Sequence, residues 1–242
     1  MKSDMKSERM CLTMHNKAWS KTQLLTLTGI FSGIIFLLTF TPIGFIQIPL
    51  IGSATIMHIP VIVGAIIMGP KYGAILGFMF GLSSLVFATT FSVALNAFAF
   101  TPFRNVPGTA YGSPWALLIA FVPRILVGII PPLVFYGIMK ILPAKAQDKK
   151  FQAIGISIAS VAGSMTNTLL VLNLMYFIFR EPWSLAREGA GVAGYQITYA
   201  FIAGIIGSMG VAEAITAAVV VPAVCLALFA VAQRMPKRHQ AA

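Results

Sequence analysis

A chain of 242 residues with 58% hydrophobic and only 10% charged side chains, and a mean hydropathy of +0.88, lies far from the roughly 25% charged residues of soluble domains. That composition excludes an ordinary soluble protein and places the chain in a lipid bilayer. The formal charge of +11 follows from where the basic residues fall along the spans, so no nucleic-acid partner is needed to explain it.

A span needs about 20 mostly apolar residues to cross roughly 30 Å of hydrocarbon. Six stretches qualify, at 23–41, 54–69, 72–91, 115–141, 152–179 and 208–232. The expected fold is therefore an all-α integral membrane protein of six transmembrane helices. A tail at 1–22 precedes a membrane domain at 23–233, and a second tail covers 234–242. The first stretch follows a basic segment, as the core of a signal peptide would. Its length and the bulky Phe40-Thr41-Pro42-Ile43 fit a retained span better than an Ala-x-Ala cleavage site. The second is short and runs at once into Gly69-Pro70-Lys71, which predicts a tight turn into the third.

Lys and Arg set orientation, because cytoplasmic loops carry the excess. Lys2, Lys6, Arg9, Lys17 and Lys21 precede the first span, Lys71 follows the second, and Lys140, Lys145, Lys149 and Lys150 follow the fourth. With Arg234, Lys237 and Arg238 these make 13 of the 17 basic residues. The other loops hold only Arg104, Arg180 and Arg187. Both termini are expected in the cytoplasm. Cys11 falls in a cytoplasmic tail and Cys225 in the last span, which predicts neither a disulfide nor a metal site.

Catalytic machinery is missing from the spans. Asp occurs only as Asp4 and Asp148, and neither HExxH, GxSxG, Cys-x-x-Cys nor a GxxxxGK[ST] phosphate loop is present, so the chain reads as no enzyme and as no ATPase in its own right. Two ionisable residues nevertheless sit inside apolar sequence, Arg124 in the fourth span and Glu213 about five residues into the sixth. A charge at mid-membrane costs roughly 2.5–3.5 kcal/mol on insertion scales and is kept for a partner or a task. One reading is an architectural Arg124–Glu213 ion pair. The other has the Arg124 fork binding an anionic group of a solute while Glu213 accepts from hydroxyl or amide donors.

Further polar groups converge on the same region: Thr166, Asn167 and Thr168 in the fifth span, with Asn173 and Tyr176 farther out. Interhelical hydrogen bonding is the plainer role for such residues. His58, near the start of the second span, reads as a neutral histidine bonded to neighbouring backbone or as a ligand contact. The loops at 41–53 and 92–114 are nearly uncharged and rich in Pro and Gly, and include Asn96, Phe103 and Arg104. Such loops are expected to fold back as lids over a site near the outer face. Trp115, Tyr176, Phe103 and Trp183 would lend apolar cover or sit in the interfacial belt. Gly73, Gly77 and Gly81 line one side of the third span for close packing within the bundle, while Gly29 and Gly33 in the first have a neighbour in this chain or in another.

The stretches Thr55–Leu82, Ala120–Gly128, Met165–Leu172 and Gly210–Ile215 together resemble the substrate-binding (S) components of energy-coupling factor (ECF) vitamin transporters. The resemblance runs over about residues 23–232 and is most similar to the pantothenate branch. It implies a six-helix prokaryotic cell-membrane protein that captures a vitamin outside and docks onto a transmembrane coupling protein with two ATPases, using no cofactor itself. Docking in the family uses small residues of the first helix, usually Ala-x-x-x-Ala; here Gly29 and Gly33, flanked by Thr26 and Ser32, stand in that place. Pantothenate would offer its carboxylate to Arg124 or Arg104, its amide to Asn167 and its hydroxyls to Glu213 or Asn173. Pyridoxine, a hydroxymethylpyrimidine and riboflavin are the alternatives within the class. A stand-alone secondary transporter, which would need a coupling-ion site and usually an internal repeat, and a structural membrane protein are the alternatives outside it.

Overall fold

The computed structural model describes residues 20–41, 44–48, 52–92, 94–141, 148–191 and 196–234. Cys11, nearly all of the basic tail at 1–22 and all but the first residue of the tail at 234–242 lie outside them.

Helix α1 (Lys21–Thr39) opens with a reciprocal cap in which Ser20 and Gln23 each accept from the other's backbone N–H. A two-stranded antiparallel hairpin follows, β1 (Phe45–Ile48) and β2 (Gly52–Thr55), with Phe45 opposite Thr55. This hairpin is the one departure from an all-helical chain among the described residues. It takes up part of the second expected stretch, so helix α2 spans only His58–Met68. Pro60 explains the late start. With no N–H it is tolerated in a first turn, where donors lack partners anyway, but it would break a helix begun at residue 54.

Gly69, at φ 90°, makes the tight turn into α3 (Pro70–Thr90). A loop containing a 3-10 turn at Ala97–Phe100 leads to α4, whose bounds Trp115–Ile141 are the expected ones. Helix α5 (Lys149–Gly189) begins at an Asp148 cap and passes the expected end at 179. It breaks its helical dihedrals at Phe179 (φ −125°, ψ 22°) and continues for ten residues as an extension. The sixth span starts at Tyr199 rather than 208: α6 (Tyr199–Ile205), a π-helical turn (Ile206–Gly210) and α7 (Val211–Arg234) run on from one another. Thr198, whose hydroxyl accepts from the Phe201 N–H, caps its start.

Five of these helices are long and apolar enough to cross a membrane, and α2 is the short sixth. Every residue of α2 is buried, because it is the central rod against which α1, α3, α4, α5 and α7 pack. That suits a helix apolar on all sides. Side-chain contacts fix an antiparallel order. Thr28 meets Met68 and Thr39 meets Met57. A Cβ added at Gly73, Gly77 or Gly81 would run into the backbone of Gly128, Arg124 or Ala120, the close α3–α4 approach expected from that spacing. The bundle thus has one face carrying Lys21, Lys71, Lys140, Lys149 and Lys150, and an opposite face covered by the loop between α3 and α4.

That covering loop is folded, as expected. Phe98, Ala99, Thr101 and Val106 are buried, Phe98 meets the Phe179 ring edge-on with centroids 5.6 Å apart, and the Thr101 and Thr89 hydroxyls lie 2.6 Å apart. Cys225 is a buried free cysteine.

Candidate functional site

Arg124 owes its pose to its neighbour in sequence. Pro123 has no N–H, so the carbonyl four residues earlier, on Ile119, loses its helical donor. The Arg124 side chain turns back and supplies one, Nη1 donating to Ile119 O at 2.7 Å. The guanidinium comes to rest between two rings, 5.5 Å from the centroid of Phe80 on α3 and 4.9 Å from that of Phe100 in the covering loop. Cation–π contacts of this kind contribute roughly 0.5–2 kcal/mol each, more when dry. Arg124 is 5% exposed, yet its Nε donates to nothing. A buried charged donor left in that state costs more than a neutral one. The same proline logic operates on α7: Pro222 frees the Ala218 carbonyl, and Ser157 Oγ on α5 donates to it at 2.9 Å.

Glu213 lies deeper than the sequence suggested, because α6 and the π turn add nine residues before position 208. It is some 14 residues into the span, about 20 Å at 1.5 Å per residue, and so belongs to the middle of the bundle. Its Oε2 accepts from Thr168 Oγ1 at 2.9 Å. Thr168 also packs on the π turn, where a Cβ on Gly210 would come 2.9 Å from its Cγ2. Thr168 holds the carboxylate, while the Ile119 carbonyl and two rings hold the guanidinium. Each charge thus has its own contacts within the bundle.

Asn167, one residue from Thr168, is 6% exposed and its Oδ1 has no donor. His58 is buried in the first turn of α2 and engaged within the bundle. Asn173 and Tyr176 sit elsewhere, at the rim. Asn173 Nδ2 donates to Leu169 O at 2.7 Å, its Oδ1 accepts from Tyr199 at 3.3 Å, and the Tyr176 ring meets that of Tyr199 and the guanidinium of Arg180. Asn96 and Arg104 are half-buried in the covering loop. Phe103 and Trp115 are 74% and 59% exposed, as belt residues would be, whereas Trp183 is buried against Phe201. Arg187, read as a loop residue, is instead buried on the α5 extension with its guanidinium 4.8 Å from the Phe201 ring.

Sequence reasoning passed over Ser84, Ser164, Phe80 and Phe100. The two serines are buried and their hydroxyls have no partner. Gly29, Gly33 and Thr26 form an open stripe on α1: all three are exposed, and a Cβ at either glycine would meet nothing within 4 Å.

The family described as "ECF transporter, substrate-specific component" matches residues 23–225. The chain belongs to this family. It is the substrate-specific component of an ECF-type transporter, a multi-pass membrane protein and not an enzyme. Among similar proteins, the pantothenic acid transporter PanT of Lactococcus lactis subsp. cremoris is 44% identical over 152 residues, 62% of this chain and 71% of that protein. The pantothenate transporter PanT of Leuconostoc mesenteroides subsp. mesenteroides is 25% identical over 219 residues, 89% of this chain and 96% of that one.

Proposed function

We propose that this S component captures pantothenate. The observation that carries the reading is Arg124, a buried cation with an unused Nε under a ring of the covering loop. A single carboxylate would satisfy it with a charge-assisted hydrogen bond. The names of the two relatives support the same solute.

The distribution of Lys favours the covered face as the outer one, with both termini in the cytoplasm of a prokaryotic cell. Solute enters beneath the 92–114 loop, passing Asn96 and Arg104, and is held by Arg124, Asn167 and Glu213 with His58 nearby. Asn173 and Tyr176 contribute at the rim. Gly29, Gly33 and Thr26 receive a transmembrane coupling protein, whose two ATPases drive uptake; the 23–233 membrane domain itself needs no cofactor. The open α1 stripe supports that docking, since close helix approach in lipid needs small residues.

Calorimetric titration of the purified, detergent-solubilised chain with pantothenate, pyridoxine, riboflavin and a hydroxymethylpyrimidine tests the proposal. One-to-one binding of pantothenate alone, weakened at least tenfold in Arg124→Gln, is the expected result. Binding of a different vitamin would overturn the solute, and uptake by the chain without partners would overturn the coupling.

A further inference from the structure

Serine and threonine in a membrane helix ordinarily donate back to the carbonyl four residues earlier. Thr28, Thr39, Thr89, Thr90, Ser160, Thr166, Ser208 and Thr216 all do so here, at 2.7–2.9 Å. Ser84 and Ser164 depart from that habit. They are 4% and 0% exposed, and neither hydroxyl has a partner. With Arg124 Nε and the Oδ1 of Asn167, they are four buried polar groups of the bundle with capacity to spare. A buried unsatisfied group of this kind costs about 1–3 kcal/mol and calls for an explanation.

Their depths sort them into two ends. The Gly73–Gly128, Gly77–Arg124 and Gly81–Ala120 approaches put Ser84 one turn beyond Phe80 on the side of the covering loop. The Arg124 guanidinium sits at the level of Phe80 and the Ile119 carbonyl. On α5, Gly155 lies against Met139 and Gly163 against Pro131. Asn167 and Ser164 are then about six and nine residues deeper along α4 than that guanidinium, about 9 and 13 Å at 1.5 Å per residue. One end has a cation and a hydroxyl. The other has an amide oxygen and a hydroxyl, three residues apart on α5 and therefore neighbours, close to the Thr168–Glu213 pair.

We infer that the solute lies along α4 with its carboxylate outward, on Arg124 and Ser84 beneath Phe100, and its hydroxyls inward on Asn167 and Ser164. This rests on the pantothenate reading, and it makes Ser84 and Ser164 specificity-determining residues. Pantothenate carries its carboxylate and hydroxyls at opposite ends of a chain as long as two to three extended residues, roughly 7–10 Å, which suits the separation. The inner end accepts as well as donates, so it favours hydroxyls over a second anion; the outer end only donates from Arg124.

The test measures affinity for three probes: pantothenate, pantothenol with its carboxylate reduced to an alcohol, and an analogue of pantothenate lacking the hydroxyls. Wild type is expected to prefer pantothenate at least tenfold over each. Arg124→Gln and Ser84→Ala should shrink the preference over pantothenol while keeping that over the deoxy analogue; Ser164→Ala and Asn167→Leu should do the reverse. Should Ser164→Ala fail to fold, Ser164→Cys removes the strong donor at nearly the same volume, with the same expectation. If Ser164 variants alter the carboxylate preference instead, or neither preference, the orientation is overturned while the pantothenate reading stands. If wild type binds none of the probes, that reading itself has failed.

Discussion

Phe100, from the loop between α3 and α4, lies 4.9 Å from the Arg124 guanidinium and covers the most deeply buried cation on the spans. The loop is itself pinned, through Phe98 on Phe179 and Thr101 beside Thr89. The loop and the buried cation are therefore one structure, and if Arg124 anchors the solute as proposed, Phe100 lies over the bound group. Phe100→Ala should leave the fold intact and raise the dissociation rate of bound pantothenate about tenfold, consistent with a cation–π contact of roughly 1–2 kcal/mol. Stopped-flow dissociation checks this; an unchanged off-rate would show that the loop does not guard the site.

Arg124 separates a binding role from a structural one. Among the described residues its side chain donates to the Ile119 carbonyl, and a lysine or glutamine at 124 has a shorter reach toward it. Arg124→Gln is predicted to lower pantothenate affinity 10- to 100-fold, as for a charge-assisted hydrogen bond worth about 1.5–3 kcal/mol. Melting of the same variant should shift little, because removing a mid-membrane charge relieves a cost of roughly 2.5–3.5 kcal/mol that offsets the lost helix contact. A large loss of melting temperature with affinity retained would make Arg124 architectural.

Much of this was legible in the sequence, and the departures have physical causes. Helix α4 begins and ends where its apolar run does, since nothing competes with it at Trp115 or Ile141. Helix α2 starts four residues later than its hydropathy because Pro60 confines it and Thr55 pairs with Phe45 across the hairpin. The end expected for α5 at 179 is real as a break in the dihedrals, but helix resumes beyond it with Pro182 in its first turn, a position proline tolerates. The start of the last span was obscured by Gly204, Gly207 and Gly210, which punctuate a sequence read locally. In the structure a π turn takes up one extra residue there, so that Ile202 and Ile205 before it, Gly210 at its end, and Ala214 and Ala217 after it all remain buried. Arg124 and Glu213 stood out because lipid makes charges conspicuous. Ser84 and Ser164 did not, because a serine that bonds its own helix and one that leaves its hydroxyl unused are the same letter.

Thr168 and Glu213 join α5 to α7 at 2.9 Å. Thr168→Val keeps the shape but deprives the carboxylate of that donor, and should lower stability by about 1–3 kcal/mol. In Glu213→Gln the side-chain amide retains an oxygen that can accept from Thr168, so the loss should be smaller. Thermal unfolding in one detergent ranks the two, and the opposite order would mean that Glu213 is held by its other contacts.

The α1 stripe yields the sharpest separation of folding from assembly. Gly29 and Gly33 face away from the bundle, with open space where a side chain would go, whereas Gly77 on α3 is pressed against the Arg124 backbone. Gly33→Leu should therefore fold, melt within about 0.5 kcal/mol of wild type as exposed substitutions do, and bind pantothenate unchanged. It should nevertheless fail to co-purify with the coupling protein and its ATPases, and uptake into proteoliposomes containing the complete complex should be lost. Gly77→Leu should fail earlier, at folding, because the steric conflict is with backbone. If Gly33→Leu assembles and transports like wild type, α1 does not dock the partner through this face. If it loses pantothenate binding as well, the face is coupled to the solute site even in the isolated chain.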